Sequence, residues 1–182
     1  MVNAFTPGPG NILALNTVTN YGWQKGKPLF WGIFAGYYAV QIVCAFFVYG
    51  IGAFLPDALQ VMKYLGAAYI LWLALCIATS APDAREERES ASFMKGFLLQ
   101  FVNVKIYMFG ITALTGFVAL YSTALWTLVG FELIIATIGT IATSTWIGAG
   151  ILMRKFYARH YRVINIVMAL TLLECLASML QA

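Results

Sequence analysis

Long apolar runs separated by short polar connections dominate this chain of 182 residues. Leu29 to Leu55 is a run of 27 residues without a charge, and Gly96 to Phe131 is a run of 36 in which Lys105 is the one charged side chain. About 20 mainly apolar residues suffice to cross a bilayer as a helix. Barrel strands are shorter and alternate in polarity, which these runs do not. The pattern therefore predicts membrane-spanning helices.

The breaks between the runs predict six helical elements in a single transmembrane domain over residues 1–182. The main divisions are a hydrophilic loop at 80–92 and a basic connection at 154–162. The predicted helices cover about 10–20, 29–54, 59–79, 93–118, 123–150 and 162–181.

The first of these elements is too short to cross a bilayer. Residues 6–11, TPGPGN, place two prolines and two glycines ahead of about ten helical residues, which measure roughly 15 Å. The hydrocarbon core is about 30 Å thick. Two explanations stay open: the first helix is short or interrupted, or the natural chain starts upstream of Met1.

Six elements divide into two sets of three, and a three-helix unit duplicated in tandem enters the membrane the second time upside down. The predicted fold is an all-α integral membrane protein, a six-helix bundle built as two inverted three-helix repeats. In such folds, interrupted segments at matching positions of the two halves mark the transport site. Here these segments are TPGPGN at 6–11 and QFVNVKIYMFG at 100–110.

Composition and charge support this interpretation. Hydrophobic residues make up 62% of the chain and charged residues 10%, with a mean hydropathy of +0.82; soluble domains carry about 25% charged residues. The net charge of +4 comes mainly from short connections, so it indicates topology and not a nucleic-acid partner. Nine basic residues lie in connections one, three and five, against Lys63 on the other side. The positive-inside rule then predicts that these three connections are cytoplasmic and both termini outside.

Few residues suit catalysis or metal binding. Cys44, Cys76 and Cys175 lie singly in apolar runs, and His160, the one histidine, lies in the basic connection. Isolated side chains of this kind make neither a metal-ligand set nor a nucleophile–base pair. We predict no enzymatic activity, no metal and no cofactor.

A deep lysine marks the candidate site. Lys105 lies far along its span, where a lysine costs about 2.5–3.5 kcal/mol on insertion scales and must be paired or line a cavity. Gln100, Asn103 and Tyr107 lie near it and are spaced three and four residues apart, so the lysine belongs to a polar stripe. Lys105 either binds a substrate carboxylate or couples to a proton-carrying acid, or it is a structural lysine bonded to carbonyls freed by a local helix break.

The TPGPGN segment offers a second candidate feature. A helix that starts at Pro9 leaves the first amides after it, predicted at Gly10, Asn11 and Ile12, without intrahelical acceptors, and such amides hold anions. Glycine at 8 and 10 lets a ligand approach the backbone. The alternative is a kink that serves only helix packing.

Two acids, Glu132 and Glu174, lie clearly within spans. Either could oppose an ammonium group or carry a coupled proton, since burial favours the neutral form of a carboxyl.

Small and hydroxyl residues are candidates for close helix packing. They are Gly32 and Gly36 in the second helix, and a stripe in the fifth that consists of Thr137, Thr140, Thr143, Ser144 and Gly148. Thr140 could also touch substrate.

The sequence resembles the lysine exporter (LysE/RhtB) superfamily of bacterial amino-acid efflux proteins. The resemblance rests on Thr6-Pro7-Gly8-Pro9 with Asn11, on LGAAYILWLA at 65–74 and on GFLLQFVNVK at 96–105, and it extends over essentially the whole chain. It is strongest to the cysteine and O-acetylserine exporter group. Val104 stands where a proline is commoner in the family, in agreement with that group. Fewer residues precede the proline-glycine motif than is usual.

The resemblance implies a secondary active exporter of small amino acids or derivatives in the bacterial inner membrane, with proton antiport as the energy source. The predicted substrate-binding residues are Pro7, Gly8, Pro9, Gly10, Asn11, Gln100, Asn103 and Lys105, and the proton-coupling candidates are Glu132 and Glu174. The expected partners are a small zwitterionic amino acid, the lipid bilayer and, as an open option, further copies of the chain, with no nucleic acid. The alternative is a non-transporting or truncated component of a larger membrane assembly.

Overall fold

The computed structural model describes residues 2–5, 7–50, 55–79 and 91–181, and every regular element within them is helical. The helices are α1 (Val2–Phe5), α2 (Pro9–Gly50), α3 (Leu55–Thr79), α4 (Phe93–Val102), α5 (Val104–Ala113) and α6 (Leu125–Gln181), with a π-helical turn at Leu114–Val118 after α5. The all-helical prediction is confirmed. Most of the predicted loop 80–92 falls outside the described residues.

Helix α2 consists of two segments that meet at Gly22. This residue has φ 77° and ψ 172°, a conformation that favours glycine. A Cβ on Gly26 would lie 3.2 Å from the side chain of Thr17, although in a straight helix these positions would be roughly 13 Å apart. The chain therefore turns back at Gly22, and the connection is shorter than the predicted 21–28.

Helix α6 also contains two segments. Its backbone leaves helical geometry at His160, where φ is −126° and ψ 24°, within the predicted connection 154–162. The segments Leu125–Met153 and Arg159–Ala177 are each long and apolar enough to cross a membrane. With Pro9–Gly50 they make three candidate spans in the described part of the chain, or four when the bent pair α4 and α5 counts as one.

Side-chain contacts give the relative directions of these segments. Before Gly22, α2 runs parallel to the first part of α6, because Asn11 bonds to Thr143 and Leu15 faces Gly150. After Gly22 it runs antiparallel, with Tyr38 bonded to Thr137 and Tyr37 against Gly139. The two segments of α2 thus run in opposite directions, as two membrane crossings joined by a turn require. The inverted relation between two halves stays a prediction.

Glycines bring α2 and α4 into close contact. A Cβ on Gly36 would lie 2.6 Å from Cγ of Gln100 and 2.9 Å from the carbonyl oxygen of Phe97, and one on Gly32 would collide with the carbonyl of Phe93. The packing interpretation of Gly32 and Gly36 is confirmed. The main buried core lies between the segments and includes Ile12, Leu29, Phe30, Leu73, Leu99, Ile147 and Leu172.

Substituting Gly32→Ala should destabilise the protein, because overfilling a packed contact costs about 1–3 kcal/mol. Gly130→Ala is the matched control, since nothing lies within 4 Å of a Cβ added there. The readout is the thermal midpoint of the detergent-purified protein, followed by size-exclusion chromatography. We expect a midpoint lower by several degrees for Gly32→Ala alone; equal midpoints for both variants would contradict the close contact of α2 with α4.

Candidate functional site

The helical path is broken at Pro7 and Gly8, between α1 and α2. Helix α2 begins at Pro9, a residue suited to the first helical position because it has no N–H to leave unpaired. The carbonyl of Gly8 accepts a hydrogen bond from the N–H of Ile12 at 2.9 Å. The expectation of an unpaired amide at Ile12 is therefore wrong. Of the three predicted amides, only those of Gly10 and Asn11 stay candidates for contact with an anion.

Asn11, in the first turn of α2, holds this break together. Its Nδ2 donates to the carbonyl of Ala4 at 3.1 Å, and its Oδ1 accepts from Oγ1 of Thr143 at 2.7 Å. The indole N–H of Trp146 donates to the carbonyl of Phe5 at 3.1 Å. Two side chains of α6 thus fix α1 and the start of α2 relative to each other.

A second break lies at Asn103, whose φ of −86° and ψ of 85° are not helical. Helices α4 and α5 meet there at an angle of 57°. The N–H of Asn103 donates to the carbonyl of Gln100 at 3.3 Å, and its carbonyl accepts from the N–H of Ile106 at 3.0 Å. The predicted helix 93–118 is thus interrupted, within the segment that the sequence singled out.

The two breaks face each other, and Lys105 joins them. Its Nζ donates to the carbonyl of Pro7 at 3.4 Å and lies 3.3 Å from the position of a Cβ on Gly8. A Cβ on Gly10 would lie 3.3 Å from the side-chain amide of Gln100. Lys105 therefore bonds a carbonyl freed by a helix break, which is the contact expected of a structural lysine. The same contact lies at the predicted binding site.

A small cavity of about 40 Å³ lies beside this contact. A water needs roughly 10–15 Å³ measured in this way, so the cavity has room for a few waters. Its polar lining consists of one cation, three side-chain amides and a hydroxyl, next to the first turn of α2. These groups are Lys105, Asn11, Gln41, Asn103 and Tyr37. The chemistry of this lining suits a carboxylate group.

Most of the predicted binding residues meet at this cavity. Those in the lining are Gly8, Gly10, Asn11, Asn103 and Lys105. Pro7 contributes the carbonyl that Lys105 bonds, and Pro9 starts the helix. Gln100 lies behind the lining, fully buried, where its Nε2 donates to the carbonyl of Gly96 at 3.2 Å.

The two acids have different surroundings. Glu132 is fully buried, and neither carboxylate oxygen has a hydrogen-bond partner among the described residues. Its oxygens lie 3.0 and 3.2 Å from the position of a Cβ on Gly110, and Oε1 of Gln41 lies 2.5 Å from the same point. Glu174 is exposed on the last helix and is not part of the cavity lining.

Sequence reasoning did not identify Gln41, Thr143 or Cys175 as site residues. Gln41 is the most polar residue in an uncharged run of 27, and this isolated polar side chain in an apolar span could have indicated a functional position. Thr143 belongs to a stripe whose other hydroxyls bond carbonyls of their own helix, and nothing in the sequence distinguishes it. The thiol of Cys175 donates to the carbonyl of Pro7 at 3.4 Å, a contact that only the fold creates.

Two membrane helices broken opposite each other, around a half-buried lysine, are typical of a membrane transporter. The family model described as "LysE type translocator" matches residues 1–180, and the chain belongs to this family. It is thus a multi-pass membrane transporter for a small molecule and not an enzyme. The resemblance derived from the motifs is confirmed.

Curated relatives support the same family. They include the cysteine/O-acetylserine efflux proteins of Escherichia coli O139:H28 (strain E24377A), Escherichia coli K12 and Shigella flexneri serotype 5b. Each is 39% identical over 177 residues, which cover 96% of this chain and 90% of the relative. No solved structure matches this chain.

Proposed function

We propose that this chain is a secondary active exporter of small amino acids or their derivatives, with cysteine and O-acetylserine as the first substrates to test. The observation that carries the proposal is the meeting of two helix breaks at Lys105, next to the first turn of α2. The choice of substrates is supported by the names of relatives that are 39% identical.

The substrate carboxylate takes the place of the Pro7 carbonyl at Lys105. The present contact is 3.4 Å long, whereas a charge-assisted hydrogen bond measures about 2.7–2.9 Å. A carboxylate brings a full negative charge to the same position, and the N-terminus of α2 adds its partial positive charge. Gly8 and Gly10 leave this part of the main chain open to the ligand, and Asn103 offers a side-chain amide in the same lining.

The orientation proposed for the chain follows its basic residues. Lys25 and Lys27 come directly after the turn at Gly22, and Arg159 and Arg162 flank the one at His160. The positive-inside rule assigns both turns to the cytoplasmic face of a bacterial inner membrane, and both termini to the outside. The opposite directions of the two α2 segments support this arrangement.

Two inverted three-helix repeats fit the positions of the breaks. Each break falls in the first element of one proposed half, at Pro7 and Gly8 in the first and at Asn103 in the second. Interrupted helices at matching positions are the usual sign of such repeats. The repeat places both breaks at mid-depth, where they enclose one substrate.

Protons that move inward drive the outward movement of substrate in this proposal. Glu132 is the better candidate for the carrier, because it is fully buried and its oxygens have no partner among the described residues. A buried carboxyl of this kind avoids a large desolvation cost by binding a proton. Glu174, exposed on the last helix, lacks this environment.

Substituting Lys105→Ala should lower export about 10- to 100-fold at subsaturating substrate, because a hydrogen bond to a charged group contributes about 1.5–3 kcal/mol. The measurement is efflux of radiolabelled O-acetylserine from liposomes containing the purified protein. Lys95→Ala is the control, since Lys95 lies over the ring of Trp72, away from the cavity. Export at the wild-type rate by Lys105→Ala would refute the site, and no flux from the folded wild type would favour the non-transporting alternative.

Glu132→Gln should remove the acceleration of efflux by an imposed pH gradient, because the amide has the shape of the acid but carries no exchangeable carboxyl proton. Glu174→Gln should keep that acceleration. Both variants are compared with the wild type in the same liposomes, with the internal pH followed by a fluorescent dye. The opposite result, in which only Glu174→Gln loses the acceleration, would transfer the coupling role to Glu174.

A further inference from the structure

We propose that the side-chain amide of Gln41 couples substrate binding to the protonation of Glu132. In one orientation its carbonyl oxygen accepts a hydrogen bond from protonated Glu132. In the other it accepts a hydrogen bond from the substrate ammonium group. This inference rests on the proposed function and deepens it, because it names the ammonium ligand and the residue through which proton and substrate exclude each other.

Gln41 lies between the cavity and Glu132. It lines the cavity together with Lys105, and only 1% of its surface is exposed. Its Oε1 and the two carboxylate oxygens of Glu132 lie within 3.2 Å of one point, the position of a Cβ on Gly110. The three oxygens thus share one pocket, which exists because residue 110 has no side chain.

This pocket contains acceptors without a donor. Oε1 of Gln41 and both oxygens of Glu132 have no hydrogen-bond partner among the described residues. The arrangement is stable when Glu132 is protonated, since its O–H can then donate to the amide carbonyl. Loss of the proton leaves a carboxylate facing a carbonyl oxygen, and burying such unpaired acceptors is costly.

Rotating the amide by half a turn removes this conflict. The rotation exchanges Oε1 and Nε2 within nearly the same volume, so that Nε2 donates to the ionised Glu132. The carbonyl oxygen then points into the cavity, where it accepts from the substrate ammonium group while Lys105 holds the carboxylate. A zwitterion therefore binds best to the ionised state of Glu132.

Among the described residues, the titratable side chains around Glu132 and Gln41 supply no charge to an ionised Glu132. Cys44 on α2 interacts electrostatically with Glu132, and Tyr107 on α5 interacts with Cys44. Tyr37 on α2 lines the cavity with Gln41. These three groups are ordinarily uncharged at neutral pH, and Lys105, the cation of the lining, is bonded to the carbonyl of Pro7. Since coupling between two binding events is reciprocal, substrate binding must release the proton of Glu132. Such mutual exclusion is what an antiporter requires.

The experiment measures proton release when O-acetylserine binds to the purified protein in weakly buffered detergent solution with a pH indicator. The wild type should release protons on binding, and its affinity should increase about tenfold from mildly acidic to neutral pH. Glu132→Gln should release none. Gln41→Met, which keeps the length of the side chain, should bind about tenfold more weakly, release no proton and show no dependence of affinity on pH.

Gly110→Ala provides a second variant, because it fills the shared pocket while both polar side chains remain. It should also suppress proton release, whereas the control Gly130→Ala should behave as the wild type. All variants are first compared by size-exclusion chromatography. Wild-type proton release by folded Gln41→Met or folded Gly110→Ala would overturn the role of Gln41. Wild-type export without any proton release would overturn the coupling alone, and a wild type that neither binds nor exports would overturn the proposed function as well.

Discussion

Backbone groups freed by a broken helix have no bulk water to bond inside a membrane, and this structure is organised around satisfying them. The carbonyls of Ala4, Phe5 and Pro7 accept hydrogen bonds from Asn11, Trp146, Lys105 and Cys175. These donors come from α2, α5 and both parts of α6. The break at residues 7–8 is therefore a point at which α2, α5 and both parts of α6 meet.

The same contacts leave the break accessible to a ligand in the proposed mechanism. A continuous helix would keep its carbonyls and amides for itself, whereas here Lys105 is bonded to Pro7 by one long contact. A ligand with a stronger negative charge can replace that contact without leaving the lysine unpaired. The same Pro7 carbonyl also accepts from the thiol of Cys175, so in the proposed mechanism its displacement would disturb a contact with the last helix.

Much of this arrangement was predictable from the sequence, since the clustered prolines and glycines at 6–11 and the lone Lys105 in a long apolar run are strong signals. The break at Asn103 was harder to locate, because neither a proline nor a glycine lies beside it to mark it. The pairs Asn11 with Thr143 and Gln41 with Glu132 depend on helix register across the bundle. No local pattern encodes such register, so Asn11 and Glu132 were recognised as site candidates but their partners Thr143 and Gln41 were not.

The most direct test of the account is an experimental structure of the protein with O-acetylserine bound. We predict that the substrate carboxylate lies within hydrogen-bonding distance of Nζ of Lys105 and that the carbonyl of Pro7 has left that position. A bound substrate whose carboxylate lies elsewhere, with Lys105 still bonded to Pro7, would contradict the account.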